Sequence, residues 1–240
     1  RGYSSKYLIR INAVGEQLEF YVKDALSNTF KEEQSKKESE YEKVFSWLGN
    51  QNNPPDIIIK KGDAFEIKKI EGPRSSLALN SSPPKDRLYS SDKRITKGCR
   101  ECEEADWNEK DLFYVIGHAK KGVLKYLLFI QASCYAAEKE IYEGVHGPLK
   151  KEITGVLESK GLEVGETVEL GKVKRVDPLG ITELRVRGMW SIQNPLKVFP
   201  NIPLYDVSKE FTLAALMKKS KYNSFPAGDI KALEGSKGVE

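Results

Sequence analysis

Between Pro55 and Ile70 the chain is written as a β-hairpin. Ile57-Ile58-Ile59 is an unbroken β-branched run, Lys61-Gly62-Asp63 carries turn chemistry, and Ala64 to Ile70 resumes an extended apolar pattern. β-Branched side chains lose rotamer freedom in a helix but pack well on a pleated surface, and glycine reverses the chain without a Cβ penalty. Alternation along the second strand puts Glu66 and Lys68 on one face and Phe65, Ile67 and Lys69 on the other. Folding the first strand back over the second brings Asp56 close to Glu66.

Two carboxylates converging beside a lysine create a specific chemical setting. They suit a hard divalent ion, Mg²⁺ above all, which keeps several waters and takes one or two carboxylates plus a substrate phosphate. Lys68 would position or deprotonate an attacking water and offset charge on a phosphorane. An acid-x-lysine pair alone is common in a chain of which 31% is charged, and a strand cap followed by a solvated face would read the same way. What separates this segment is the combination of a proline before the first acid, β-branched residues after it, a turn, and Glu66-Ile67-Lys68 inside an apolar strand.

Asp56, Glu66 and Lys68 resemble the PD-(D/E)XK signature of the nuclease superfamily that contains most type II restriction endonucleases. Further stretches narrow the likeness: Glu66 to Glu71, Leu77 to Lys85, Cys99-Arg100-Glu101-Cys102, Val176 to Thr182, and Arg185-Val186-Arg187-Gly188-Met189-Trp190. Together they resemble the NgoPII-like restriction endonucleases from about Ile11 to Pro195. The resemblance implies an α/β, PD-(D/E)XK restriction-endonuclease-like core, with a mixed central β-sheet flanked by helices and the site at one sheet edge. It also implies Mg²⁺-dependent cleavage of double-stranded DNA at a short palindrome, GGCC, leaving 5′-phosphate and 3′-hydroxyl ends. Asp56, Glu66 and the carbonyl of Ile67 would hold the ion, and Lys68 would handle the water. A two-fold homodimer is the simplest way to match a palindrome; monomers that nick twice are the alternative.

Superfamily members often add an acid from an N-terminal helix. Ile11, Val14, Leu18, Val22 and Ala25 recur at helical spacing across Ile11 to Leu26, and Glu16 and Glu19 lie on that segment. Glu19 is favoured because it follows Gly15 by one turn, where a missing side chain would let the helix approach the sheet; a solvated helix face is the plain alternative.

Candidate DNA contacts fall in two places. Ser75 to Asp92 directly follows the catalytic strand and is polar, basic and proline-interrupted; there Asn80, Ser81, Ser82, Lys85 and Arg87, with Arg94 just beyond, can donate to phosphates or base edges. Farther on, Gly171 to Asn194 reads as short strands and turns in which Arg185 and Arg187 alternate in register and so share a face. A flexible surface loop, and arginines paired with acids, are the respective bland readings.

The rest of the chain frames these motifs. Glu32 to Lys43 is a charged helix or connector, Asn50 to Pro55 a loop, and Asp111 to Ala119 with Leu124 to Ser133 a second, buried strand pair. His118 ends the first of these strands, where a structural or phosphate-contacting role fits. Leu149 to Lys160 is an amphipathic helix closed by Gly161, and Phe225 onward reads as a mobile tail. The reading is a single nuclease domain over residues 1–240, with a catalytic core at about 11–145, recognition elements at about 146–225 and a tail at 226–240.

Three cysteines argue against a disulfide framework. Cys99 and Cys102 have half a zinc knuckle's spacing but no second Cys or His pair follows, so ordinary thiols are expected. No hydrolase triad, P-loop or dinucleotide fingerprint is present, so no nucleotide cofactor is expected. A net charge of +4 is compatible with nucleic acid without specifying it. No apolar stretch approaches the roughly 20 residues of a membrane span, and a soluble, cytoplasmic protein is expected. Two other functions use the same core: a structure-specific repair or recombination nuclease, and a non-catalytic DNA-binding module, against which the intact acid, acid and lysine argue.

Overall fold

The computed structural model describes residues 15–50, 53–120, 123–202 and 209–236. Two helices, α1 (Gly15–Ser27) and α2 (Gln34–Val44), lead into strands β1 (Phe45–Asn50), β2 (Asn53–Ile59) and β3 (Ala64–Ile70). Next come β4 (Leu77–Asn80), β5 (Arg87–Tyr89), the short α3 (Lys97–Arg100), β6 (Glu109–Lys120) and β7 (Val123–Gln131). The C-terminal half holds α4 (Lys139–Ser159), β8 (Glu163–Val164), β9 (Gly171–Lys174), β10 (Leu184–Val186), β11 (Trp190–Ile192), α5 (Pro195–Val198), β12 (Thr212–Leu216), α6 (Lys219–Tyr222) and α7 (Ala227–Glu234).

The hairpin forms where its residues call for it, with Ile57 opposite Phe65 and Ile58 opposite Ala64. It sits inside a mixed seven-stranded sheet of order β1-β2-β3-β6-β7-β12, with β5 also pairing β6. The β3/β6 and β7/β12 pairs are parallel and the others on this path antiparallel. The buried strand pair read from the sequence is β6 and β7. β3 is therefore an interior strand, which corrects the expectation of a site at the sheet edge.

Alternation along β6 supplies both cores, as expected of a strand buried on two faces. Leu112, Tyr114 and Ile116 join Ile58, Ala64, Leu77 and Leu196 on one side, where α3 and α5 contribute Cys99 and Leu196. Phe113 and Val115 join Leu18, Val22, Ile57, Phe65 and Ile67 on the other, beneath α1 and α2. The charged segment before β1 is helical over Gln34–Val44, and its buried Tyr41 donates to Asp24 of α1 at 2.6 Å.

The close approach of α1 to the sheet rests on Gly117 of β6. A Cβ there would lie 2.6 and 2.8 Å from the two methyl carbons of Leu18, which is only 1% exposed. The glycine that matters is thus in the strand. The part of the apolar stripe before residue 15 lies outside the described residues.

Other segments also differ from the sequence reading, among them Ser75 to Asp92, which carries β4 and β5 rather than loop alone. The amphipathic helix starts ten residues earlier than expected and runs through Pro148, whose missing N–H gives up one bond toward Gly144. Its end is as read: Gly161 adopts a φ of +70°, and its N–H donates to the Glu158 carbonyl at 2.9 Å. The segment assigned to a tail carries α7, and the segment assigned to recognition returns β12 to the central sheet. Asn53 to Pro55 belong to β2 rather than to a loop.

Gly117→Ala should lower stability by about 1–3 kcal/mol, because the tightly held Leu18 would have to give way. Thermal unfolding checks this, and an unchanged melting temperature would contradict the packing argument.

Candidate active site

The site lies where β2 and β3 part. Their ladder pairs Ile57 with Phe65 and Ile58 with Ala64, and one residue farther out the Asp56 side chain replaces the ladder. Its Oδ2 accepts the Ile67 N–H at 2.6 Å. A strand residue's N–H and C=O point to the same side, so the Ile67 carbonyl also faces this fork. β3 meanwhile stays paired with β6 along its full length, from Ala64 opposite Leu112 to Ile70 opposite His118. One strand is held rigid while its neighbour peels off, which opens a notch lined by carboxylate and main-chain oxygen.

Glu66 and Lys68 lie on the same face of β3, and the Lys68 ammonium donates to Glu66 Oε1 at 2.6 Å. Burial, reinforced by the negative charge of Glu66, pushes the Asp56 carboxyl up to about 7 despite the attraction of Lys68 and the Ile67 N–H. Burial works against the Lys68 ammonium, but Glu66 and Asp56 more than offset it and raise its pKa. Glu19 of α1 reaches the same cleft and adds to the field on both groups; it also stands 4.0 Å from Lys23. The side chain of Glu16 lies outside the described ones.

This donor set fits a small hard cation. Among the described residues no three His, Cys, Asp or Glu side chains stand close enough to hold a metal ion. Asp56, Glu66 and the Ile67 carbonyl would leave the remaining positions to water and phosphate oxygens, as Mg²⁺ prefers. Burial first, and the Glu66 carboxylate second, disfavour the charged form of Asp56, and a divalent ion held there would offset both.

The fork opens into a cleft of about 780 Å³. Asn80, Ser81, Ser82, Lys85 and Arg94 line it, as does Arg187. Asn80 ends β4 with a φ of +52°, a conformation asparagine tolerates, and this turns the chain into Ser81 and Ser82. Lys85 is paired with Asp92 at 2.8 Å, and its N–H donates to the Tyr114 hydroxyl at 2.9 Å. Arg87 and Arg185 stand outside this cleft: Arg87 pairs with Glu109 at 2.9 Å, and Arg185 with Glu169 at 2.6 Å. Sequence reasoning passed over Lys93, Tyr114 and Glu169, all of which line the cleft. Lys93 adjoins the flagged Arg94 and had a legible signal, whereas Glu169 had only the basic strand that follows it.

His118 is buried, faces the Ile70 carbonyl at 3.4 Å and stacks near Tyr126, a structural setting in which burial lowers its pKa. Cys99 is buried, which pushes its thiol up to about 12, and the Cys102 thiol faces the Ser46 hydroxyl at 3.7 Å.

A mixed sheet whose forked hairpin presents acid, acid and lysine to an open cleft defines a restriction-endonuclease-like nuclease. The NgoPII restriction endonuclease family matches residues 3–239. The type II restriction enzyme NgoPII of Neisseria gonorrhoeae is 43% identical over 230 residues, which span 95% of this chain and 81% of that enzyme. The chain belongs to the NgoPII restriction endonuclease family and is thereby a type II, site-specific deoxyribonuclease. No solved structure matches it significantly. Among the described residues no helix is long and apolar enough to cross a membrane.

Because Asp56 holds its proton more tightly folded than unfolded, its contribution to stability is fully present below its ordinary value of 3.8 and is lost as pH rises through about 7. In chelator, melting temperature should therefore fall across this window in the parent protein and fall less in Asp56→Asn. Parallel profiles for the two proteins would contradict the assignment.

Proposed function

We propose that this chain hydrolyses double-stranded DNA at the palindrome GGCC, as a Mg²⁺-dependent cytoplasmic homodimer that leaves 5′-phosphate and 3′-hydroxyl ends. The observation that carries this reading is the fork itself: Asp56, Glu66 and Lys68 converge at the mouth of a cleft large enough for a nucleic-acid strand, in a chain of this family. The GGCC target follows from the family resemblance, and the homodimer from matching two-fold protein symmetry to a palindrome.

Asp56, Glu66 and the Ile67 carbonyl would hold the ion. When bound, it supplies positive charge beside the scissile phosphate and makes a coordinated water more acidic. Lys68 keeps its proton at neutral pH, so it serves as a donor rather than as the base. One of its N–H groups is engaged by Glu66, and the others remain to orient water and counter charge on the phosphate. The water oxygen would form the new P–O bond in line, releasing a proton to solvent, as the bond to the 3′ oxygen breaks; that oxygen would take up a proton from solvent and the phosphate stays on the 5′ side. Asn80, Ser81, Ser82, Lys85 and Arg94 line the cleft and would track the backbone through it. Arg87 and Arg185 act at most from its margin, and Glu19 supplements the charge at the fork.

Digestion of a plasmid of known sequence, with Mg²⁺ and with chelator, tests this. Discrete fragments ending at GGCC are expected with Mg²⁺ alone, and Lys68→Ala should slow cutting by roughly 10²–10⁴-fold. An intact plasmid, or cutting insensitive to chelator, would overturn the proposal.

A further inference from the structure

We propose that Arg187 is the guanine-reading side chain of the cleft, and that Glu169, clamped from behind by Arg185, aims it. The assignment rests on the nuclease reading above and separates two arginines that the sequence treats alike. Glu169 precedes β9, and Arg185 lies on β10, which pairs with β9 through Arg185 opposite Lys172. The Glu169 side chain is only 7% exposed, and both guanidinium groups pair with it at 2.6 Å.

The two arginines use that carboxylate differently. Arg185 binds side-on, with Nε to Oε2 at 2.9 Å and Nη2 to Oε1 at 2.6 Å, which occupies one whole edge of its guanidinium. Arg187 donates only through Nε, to Oε1 at 2.6 Å. Among the described residues neither terminal nitrogen of Arg187 has a hydrogen-bond partner, so its outer fork of N–H groups is available. That fork matches the O6 and N7 acceptors of guanine. Arg187 and Glu169 line the cleft together with Lys68 and Asn80, whereas Arg185 does not.

Two further observations make the carboxylate a mount rather than a surface partner. The Glu169 N–H donates to the Thr167 hydroxyl at 3.0 Å, and Lys150 of α4 donates to the Thr167 carbonyl at 2.5 Å, so the loop is pinned from both sides. The carboxylate also cancels half of the positive charge of the two guanidinium groups. That weakens Arg187 as a phosphate contact and leaves its geometry, not its charge, to select a partner. A guanidinium already fixed at Nε loses little rotamer freedom when a base arrives.

The test measures cleavage and binding on a duplex carrying the site and on copies with 7-deazaguanine, which lacks the N7 acceptor, at each guanine in turn. The parent protein should lose roughly tenfold or more at one guanine. Arg187→Ala should cut and bind more weakly and show no further loss at that guanine, and Arg187→Lys should not restore it. Glu169→Gln and Arg185→Ala should each blunt the discrimination while leaving Mg²⁺ dependence and melting temperature near those of the parent, the pattern of positioning residues. If Arg187→Ala stays as sensitive to every 7-deazaguanine as the parent, this assignment alone is overturned. If the parent neither cuts nor prefers the site, the nuclease reading falls and takes the assignment with it.

Discussion

The hydrogen bond from the Ile67 N–H to Asp56 is the contact on which the site depends. In a regular hairpin that N–H would face a carbonyl of the opposite strand, and the two strands would stay zipped to their ends. Handing it to a carboxylate ends the ladder early, turns the Ile67 carbonyl into the same opening and holds Asp56 near Glu66. The arrangement is tolerable because β3 keeps its other edge paired with β6 throughout, so no long stretch of backbone is left unsatisfied.

Several distant parts of the chain hold this hairpin in place. Its turn is pinned on two sides: the Lys61 N–H is accepted by Glu103 at 3.1 Å, and Asp63 is gripped by Lys221 of α6 at 2.6 Å. Lys221 also reaches Asp111 of β6 at 3.0 Å. The C-terminal segment therefore brackets the sheet twice, once through β12 on β7 and once through this lysine. Gly117 lets α1 press its apolar stripe onto the opposite face and thereby delivers Glu19 to the cleft. The groups proposed to act are few and local, but their fixity is drawn from most of the fold.

Much of this was legible from residue patterns. The hairpin, the buried pair β6 and β7, and the closure of α4 at Gly161 follow from β-branched runs, turn chemistry and a positive-φ glycine, all of which act over a few residues. Strands β1, β4, β5 and β12 are not legible as strands in the sequence: each has six residues or fewer, and pairing with a partner elsewhere in the chain is what makes it one. Helix α4 begins ten residues before the sequence reading and runs through Pro148; on an exposed helix, solvent can replace the bond that the proline removes. The tail was read from composition, which does not register a two-turn helix such as α7.

The sequence by itself determined the family and the candidate site: an acid, an acid and a lysine at hairpin spacing, in a chain whose further stretches match one restriction endonuclease family. Side-chain type and strand alternation are local properties, so they can be read without a structure. Tertiary structure alone decided that the hairpin opens at Asp56 within the interior of the sheet, and that Arg187 faces the cleft while Arg185 and Arg87 do not. Each of these depends on which carboxylate a distant cation or N–H meets in space, and nothing in the order of residues specifies that meeting.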